Sequence, residues 1–475
     1  MLLPFLLVQA QEDNSNNNQT DENYEIPEIE HITEGLTGSL NYADIGGMKY
    51  VGLRFKPDLA FGKIGFGLDI PLLFSLEDGS FRMDEFKDGV GYLRMIRYFR
   101  YGVKKRDPLY FRIGELDDSQ LGFGAMISEY NNSPSFDKRK LGLEFDFVIK
   151  KKFGLEAIYS DLNLKSFNLL GVRPYYKPFG ATNIPIIKTF EIGVGFITDH
   201  DKTAWIKNDS ILIRNNYFLE NGITAYQADM GFYLFNWRWL RWSFYTQASM
   251  IDKVNSDSLQ KYINKFPNEH RLNYKSGYGF SIGSDFKFRF LGNLLKIDAR
   301  AEKFWHTDYY IARFFNYAYE MDKDMAIWNL VNSKADHGTY AMIHASVLDK
   351  IILKSSIKFV DKINEEHPAE FYGGIDLSGL SDKITFFTYI YQAKITKLSD
   401  ILYLTDNTLF HTRVGYTFFQ LKNFLQFNAG LDFRWTYALL KNMDFTATHY
   451  VNPYFSITMP LKNKKKEKEN KEYKD

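Results

Sequence analysis

The 475-residue sequence contains no cysteine. This excludes a disulfide-stapled scaffold and any thiolate metal site, and it suits an exported chain that folds without oxidation. Long apolar runs are also missing. Beyond residue 10 nothing approaches the roughly 20 consecutive apolar residues that a membrane-spanning helix needs. Nor is there an excess of one charge. Lys and Arg number 59 against 58 Asp and Glu, a formal net charge of +1, so no global field attracts nucleic acid. Mean hydropathy is negative, although 45% of residues are hydrophobic and 17% aromatic. Strands with one apolar and one polar face reconcile these values.

Such strands are present. From Asn423 to Tyr437, Leu425, Phe427, Ala429, Leu431, Phe433, Trp435 and Tyr437 alternate with Gln426, Asn428, Gly430, Asp432, Arg434 and Thr436. Successive side chains of a strand point to opposite sides, so this segment has an oily face and a charged one. The pattern runs long enough to cross a bilayer as a tilted strand. It recurs in Arg241–Gln247, where Arg241, Ser243, Tyr245 and Gln247 oppose Leu240, Trp242 and Phe244. In the next two strands Asp285, Lys287 and Arg289 oppose Phe286, Phe288 and Phe290, then Lys296, Asp298, Arg300 and Glu302 oppose Leu295, Ile297, Ala299 and Ala301. A charge on the lipid face costs about 2–4 kcal/mol at the bilayer midplane, so these charges require a hydrated or ion-paired interior. The pattern predicts an all-β, transmembrane, antiparallel up-and-down β-barrel of about 20 strands, within a range of roughly 16–22. A soluble two-sheet protein is the competing fold.

Strand starts are expected near 36, 48, 60, 107, 119, 139, 153, 167, 187, 223, 239, 276, 294, 339, 351, 369, 383, 408, 424 and 445. Short links are expected at Pro57-Asp58, Asp117-Asp118, Lys150-Lys151, Asn236-Trp237, Gly292-Asn293, Asp349-Lys350, Ser381-Asp382 and Lys422-Asn423. Long links are expected at 73–106, 129–138, 199–221, 252–274, 305–338 and 395–407. Both chain ends then fall on the short-turn side. Residues 1–10 read as the end of a secretory signal peptide, with Val8-Gln9-Ala10 fitting the small-x-small cleavage rule. Residues 11–35 form an acidic, Asn-rich leader with no Lys or Arg, expected to be disordered. Residues 36–461 are the expected barrel and 462–475 a charged tail.

Architecture and patterning resemble the Gram-negative outer-membrane β-barrels, porin-like proteins among them, over residues 36–460. The segment Val451-Asn452-Pro453-Tyr454-Phe455-Ser456-Ile457-Thr458-Met459-Pro460-Leu461 resembles the assembly signal of that class, although a charged tail follows it instead of a terminal aromatic residue. The resemblance implies short periplasmic turns and long extracellular loops in a bacterial outer membrane. It also implies contact with outer-membrane lipid and lipopolysaccharide, barrel-assembly machinery as a partner, and passage of small polar solutes. A homo-oligomer or a protein partner at the loops is a further expectation.

Candidate pore-lining residues are Arg112, Arg173, Asp229, Arg241, Asp285, Lys287, Arg289, Asp298, Arg300, Glu302, Arg413, Asp432 and Arg434. Either they tune solute selectivity or they form cross-strand ion pairs that hold the wall together. The segment Tyr92–Tyr101 interleaves basic and aromatic residues. Arg94, Arg97, Tyr98, Arg100 and Tyr101 are candidates for a constriction loop folded into the pore, the alternatives being nucleic-acid contact or an extra strand. His344 and Ser346 share one face of a strand, which admits a barrel hydrolase as an alternative. The remaining histidines lack ligand spacing, so neither metal nor cofactor is expected. The leading expectation is a passive channel. The first rival is a non-conducting barrel that binds a partner through its long loops.

Overall fold

The computed structural model describes residues 35–460, apart from 46–47, 84–90, 106, 135–138, 164–166, 202–216, 238, 292–293, 362, 364–367, 406, 422–423 and 440–444. The expected signal remnant, leader (but for Gly35) and charged tail lie outside the described residues, as do the expected links Gly292-Asn293 and Lys422-Asn423. The strands are β1 Gly35–Ile45, β2 Met48–Phe61, β3 Ile64–Leu68, β4 Ile70–Ser75, β5 Ile96–Tyr101, β6 Leu109–Gly114 and β7 Gly142–Ile149. Next come β8 Phe153–Tyr159, β9 Leu170–Tyr176, β10 Glu191–Asp199, β11 Ile223–Asn236, β12 Leu240–Ile251, β13 Gly277–Phe290 and β14 Leu295–His306. The last are β15 Asp336–Val347, β16 Ile351–Val360, β17 Ala369–Asp376, β18 Ile384–Ile395, β19 Thr408–Leu421, β20 Leu425–Leu439 and β21 Phe445–Pro460. Among the described residues three α-helices, α1 Asp257–Lys265, α2 Glu269–Leu272 and α3 Lys323–Asn332, lie in the long loops.

Every strand pairs antiparallel with its neighbour, and β1 pairs with β21 to close the sheet. At that seam Thr37 lies opposite Thr458, their hydroxyl oxygens 3.1 Å apart. Both β3 and β4 pair with β2, so they are halves of one stave and the 21 segments make 20 staves. Asp69 interrupts this stave. Its N–H donates to the Met95 carbonyl at 2.7 Å, and its carboxylate turns inward to Arg54 at 2.5 Å.

Side-chain alternation sorts the wall into two environments. On β11, Ala225, Gln227 and Asp229 are buried inside, whereas Tyr226 and Met230 are 43% and 46% exposed outside. On β20 Asp432 is buried and Leu431 exposed. The outer face carries Leu40, Leu53, Phe55, Val194, Phe280, Ile282, Ile343, Val414 and Phe455, all exposed. No soluble fold leaves such a belt in water, and a closed sheet has no edge to defend in lipid. Trp237 and Trp239, in the turn between β11 and β12, pack with Phe235 and Phe288 as part of an interfacial aromatic girdle.

One barrel end has short connections such as 62–63, 150–152, 348–350 and 377–383, and the other carries 76–95, 115–141, 200–222, 252–276 and 307–335. Both ends of the barrel chain lie on the short-turn side. The expected strand near 119 does not exist: residues 115–134 leave the wall and fold inward. A strand not placed among the expected starts, β5, takes its place in the count. Pro57 and Asp58 lie within β2, and Asp117-Asp118 opens the inward loop rather than a tight turn. The sheet edge here is set by Gly114, whose φ of +128 ends β6 and turns the chain away.

Candidate functional site: the barrel lumen

Two long connections fill one side of the lumen. Residues 115–134 and 307–335 meet at a parallel bridge between Ile127 and Phe315. Arg313 N donates to Ala125 O at 2.9 Å and Phe315 N to Met126 O at 3.0 Å. Around this bridge Leu116, Leu121, Met126, Tyr130, Phe315, Ile327 and Leu330 form the largest apolar core, packed on Ile158, Ile197 and Ala225 of the wall. Helix α3 starts cleanly because Asp322 accepts from Met325 N at 2.9 Å. Its buried residues Ile327, Leu330 and Val331 join that core.

The tip of the first loop spans the interior. Gly122 donates its N–H to Glu156 Oε2 at 2.7 Å. Arg300 Nη1 reaches Gln120 Oε1 at 3.0 Å and Phe123 O at 3.2 Å, while Phe123 stacks on Tyr245. Gly122 sits at φ +62, and a Cβ there would come within 2.7 Å of Arg173 Nε. Only glycine permits both that backbone and that approach.

Under the tip lies a sealed ion cluster. Arg173 is 0% exposed and binds Asp229, Glu191 at 2.8 Å and Glu156 at 3.4 Å. Glu302 pairs with Arg313 at 2.9 Å. A second buried cluster ties the loops to the top of β10. Lys323 binds Asp199 at 2.7 Å, Asp201 at 3.2 Å and Glu320 at 3.3 Å, and Lys140 binds Glu320 at 2.6 Å. Burial pushes the Glu320 carboxyl up, but the ammoniums of Lys140 and Lys323 outweigh it and hold it below its ordinary range.

On the opposite wall the basic ends of Arg413, Arg434, Lys56 and Lys358 keep partial exposure, while the carboxylates of Asp432 and Asp69 are buried beneath them. Asp432 collects His411 at 3.0 Å, Arg413 at 2.5 Å and Arg434 at 3.4 Å. Asp69 collects Arg54, Arg139 and Lys56, and Lys358 pairs with Glu370 at 2.7 Å. Lys354 reaches across to Asp118 of the inward loop at 3.5 Å. Between loop and wall, a cavity of about 190 Å³ is lined by Asp118, Gln120, Asp285, Lys287, Asp298, Arg300 and His344 among others.

The structure therefore divides the sequence-derived lumen residues. Arg300 and Glu302 bond the inward loops, Arg300 also lining the cavity, whereas Arg173 and Asp229 pair with each other, sealed in the wall beneath the loop tip. Asp285 pairs with Arg300, and Asp298 with Arg289 at 2.6 Å, within the wall. Arg413, Asp432 and Arg434 lie on the opposite wall, and Arg112 on β6 between Arg100 and Glu144. Arg241 sits opposite Lys287 near the short-turn end. The constriction-loop assignment is corrected: Arg97, Tyr98, Arg100 and Tyr101 belong to strand β5, and Arg94 to the short helical turn Gly91–Met95, where it binds Asp161 at 3.4 Å. Tyr101 is on the outer face, stacked on Phe111. The loop that does enter the lumen carries Gln120, Gly122 and Phe123. Its alternating Leu121, Phe123, Ala125 and Ile127 had the pattern of a strand.

Ser346 donates its hydroxyl to Asp349 Oδ1 at 3.0 Å, not to His344, so no nucleophile–base pair is assembled. Among the described residues no group of three or more His, Asp or Glu side chains is arranged to hold a metal.

A closed barrel of 20 staves with a lipid-facing belt, an aromatic girdle and a charged interior defines an outer-membrane β-barrel. No protein-family profile matches the chain, and no curated protein does. Solved structures with a similar barrel include Wzi of Escherichia coli, an outer-membrane protein involved in group 1 capsule assembly and described as a carbohydrate-binding β-barrel. It is 11% identical, covers 90% of this chain and 85% of its own, and superposes with a TM-score of 0.33. Pseudomonas aeruginosa OpdK, an outer-membrane protein, is 10% identical over 89% of this chain and 98% of its own, with a TM-score of 0.30. OccK2 (OpdF) of the same organism, solved with glucuronate, is 11% identical over 91% and 100%, with a TM-score of 0.32. At these overlaps the assignment to class rests on the barrel geometry itself.

Proposed function

We propose that this protein is a porin-like channel for passive diffusion of small polar solutes, through the lumen sector that the inward loops leave uncovered. The observation that carries this reading is the asymmetric filling of the barrel. The apolar core of the loops lies against the β8–β14 side, whereas the basic ends of Lys358, Arg413, Arg434 and Lys56 on β16, β19, β20 and β2 keep partial exposure. Fixed charges beside a hydrated path set which ions and polar solutes pass. Reconstitution of pure protein in a planar bilayer tests it: stepwise currents are expected, and their absence removes the channel reading.

The second reading is a barrel that binds a partner through its long-loop end. It is favoured by the helical cap. Helices α1 and α2 in the 252–276 loop pack on α3, with Arg271 over the Trp328 ring at 4.8 Å, and expose Phe266 and Leu272.

A further inference from the structure

We propose that the cavity between the inward loop and the wall is a binding subsite for a small zwitterion. Asp118 receives its ammonium, Lys287 its carboxylate, and His344 is seated between them. The proposal deepens the channel reading, on which it rests only for the route by which the solute arrives.

Lys287 of β13, Asp298 of β14, His344 of β15 and Lys354 of β16 are successive cross-strand neighbours on one row of the lumen face. Adjacent strands lie about 4.8 Å apart, so Lys287 and His344 are separated by roughly 10 Å at the backbone. Asp118 comes from the other side. It sits on the inward loop at φ +58 and reaches Lys354 Nζ at 3.5 Å, which sets it over the far end of the row. On the adjoining row Arg300 bonds Gln120 of the loop at 3.0 Å, tying loop to wall beside the cavity.

Much of the charge around the cavity is committed. Asp285 holds Arg300 through both carboxylate oxygens, and Asp298 holds Arg289 at 2.6 Å. Three groups are held loosely or not at all. Lys287 lies 3.6 Å from Asp298, its side chain is 47% exposed, and it makes no hydrogen bond among the described residues. Neither ring nitrogen of His344 hydrogen-bonds a described residue, although Asp118, Asp298, Lys354 and Arg300 are the charges around it. Asp118 keeps its side chain 44% exposed, and its contact with Lys354 is longer than an ordinary charge-assisted hydrogen bond.

The sign and order of these groups select the ligand. A lone anion at Lys287 would also face Asp298, and a lone cation at Asp118 would also face Lys354. A molecule that carries both charges sets each against its own partner, with a charge-assisted hydrogen bond at either end. His344, as a neutral imidazole, presents one donor and one acceptor to whatever polar group lies between those ends. The spacing along the row favours charges several ångströms apart, as in a γ-amino acid or a dipeptide, over the adjacent charges of an α-amino acid.

The test uses the full-length protein folded in detergent, titrated calorimetrically with γ-aminobutyrate and glycylglycine and with the single-charge analogues butyrate and butylamine. At least one zwitterion is expected to bind, and each analogue about tenfold or more weakly. Lys287→Gln and Asp118→Asn should each lower the affinity to that of an analogue, and His344→Leu should lower it about threefold to tenfold. Lys354→Gln loosens the same loop contact without removing a ligand group, so it should keep or raise the affinity. A loss there as large as in Asp118→Asn would mean that Asp118 acts only by positioning the loop, and overturns the proposal. So does unchanged affinity in any of the other three variants, equal binding of the analogues, or no binding at all. A parallel bilayer recording separates the two proposals. Current without zwitterion binding leaves the channel and removes the subsite. Binding that depends on Lys287 and Asp118 but comes without current leaves the subsite and removes the channel.

Discussion

Phe123, at the tip of the inward loop, stacks on Tyr245 of β12 with ring centroids 4.8 Å apart and planes within 2° of parallel. One is a loop residue and the other a stave of the wall. This contact fixes how far the loop reaches across the lumen.

Phe123→Ala removes the stack, a loss of about 0.5–1.5 kcal/mol beyond buried area. Gly122 and Gln120 keep their polar contacts, so the loop stays docked and its tip loosens. Single-channel recording is expected to show larger or noisier currents than wild type. An unchanged trace would mean that the tip does not border the conducting path.

Arg173→Met leaves Glu156, Glu191 and Asp229 facing one another without their shared cation. Removing one partner of a buried ion pair costs about 3–5 kcal/mol, while replacing both partners with apolar groups costs far less. The single variant is expected to lower the temperature at which folded barrel converts to the unfolded form in a gel-mobility assay. The double variant Arg173→Met/Asp229→Leu should recover part of that loss.

Glu320 gives the loop cluster an acid sensitivity. Its carboxyl is held below the ordinary glutamate value of 4.5. A group with a depressed folded value contributes stability that is fully present above the unfolded value and is lost as pH falls through the folded one. Acidification below about 4.5 should therefore loosen residues 319–323 and raise hydrogen exchange there. Glu320→Gln should show raised exchange already at neutral pH and little further change with acid.

Arg434 and Arg413 flank Asp432 on the accessible wall. Arg434→Glu reverses one fixed charge beside the proposed path, and the reversal potential in a salt gradient should move toward cation preference. A reversal potential identical to wild type would show that this wall does not set selectivity.

The barrel was legible because alternation is a local property: each stave writes its two environments into successive residues, as Asp432 and Leu431 show. Ser119–Tyr130 misled for the same reason. A two-residue pattern records one apolar side, and the partner that buries it, residues 309–331, lies far along the chain. Ile96–Tyr101 failed in the opposite direction. A bulge at Gly67/Leu68 shifts its register, and Arg97 faces inward out of step with Arg100. Polar residues then occur at both parities. The lumen charges were readable as a set, but their division into sealed anchors and accessible wall depends on where the inward loops rest, which no single strand encodes.

The seam between β1 and β21 joins hydroxyls 421 positions apart in the chain. The first stave therefore cannot complete its hydrogen bonding until the last one is in place, leaving one of its edges open until then. Contacts between such distant segments form slowly, and a bare strand edge recruits other chains in the meantime. Circular closure, which leaves the finished wall no open edge in lipid, thus makes the unfinished sheet the vulnerable species. That edge is closed only when Phe445–Pro460 pairs with β1.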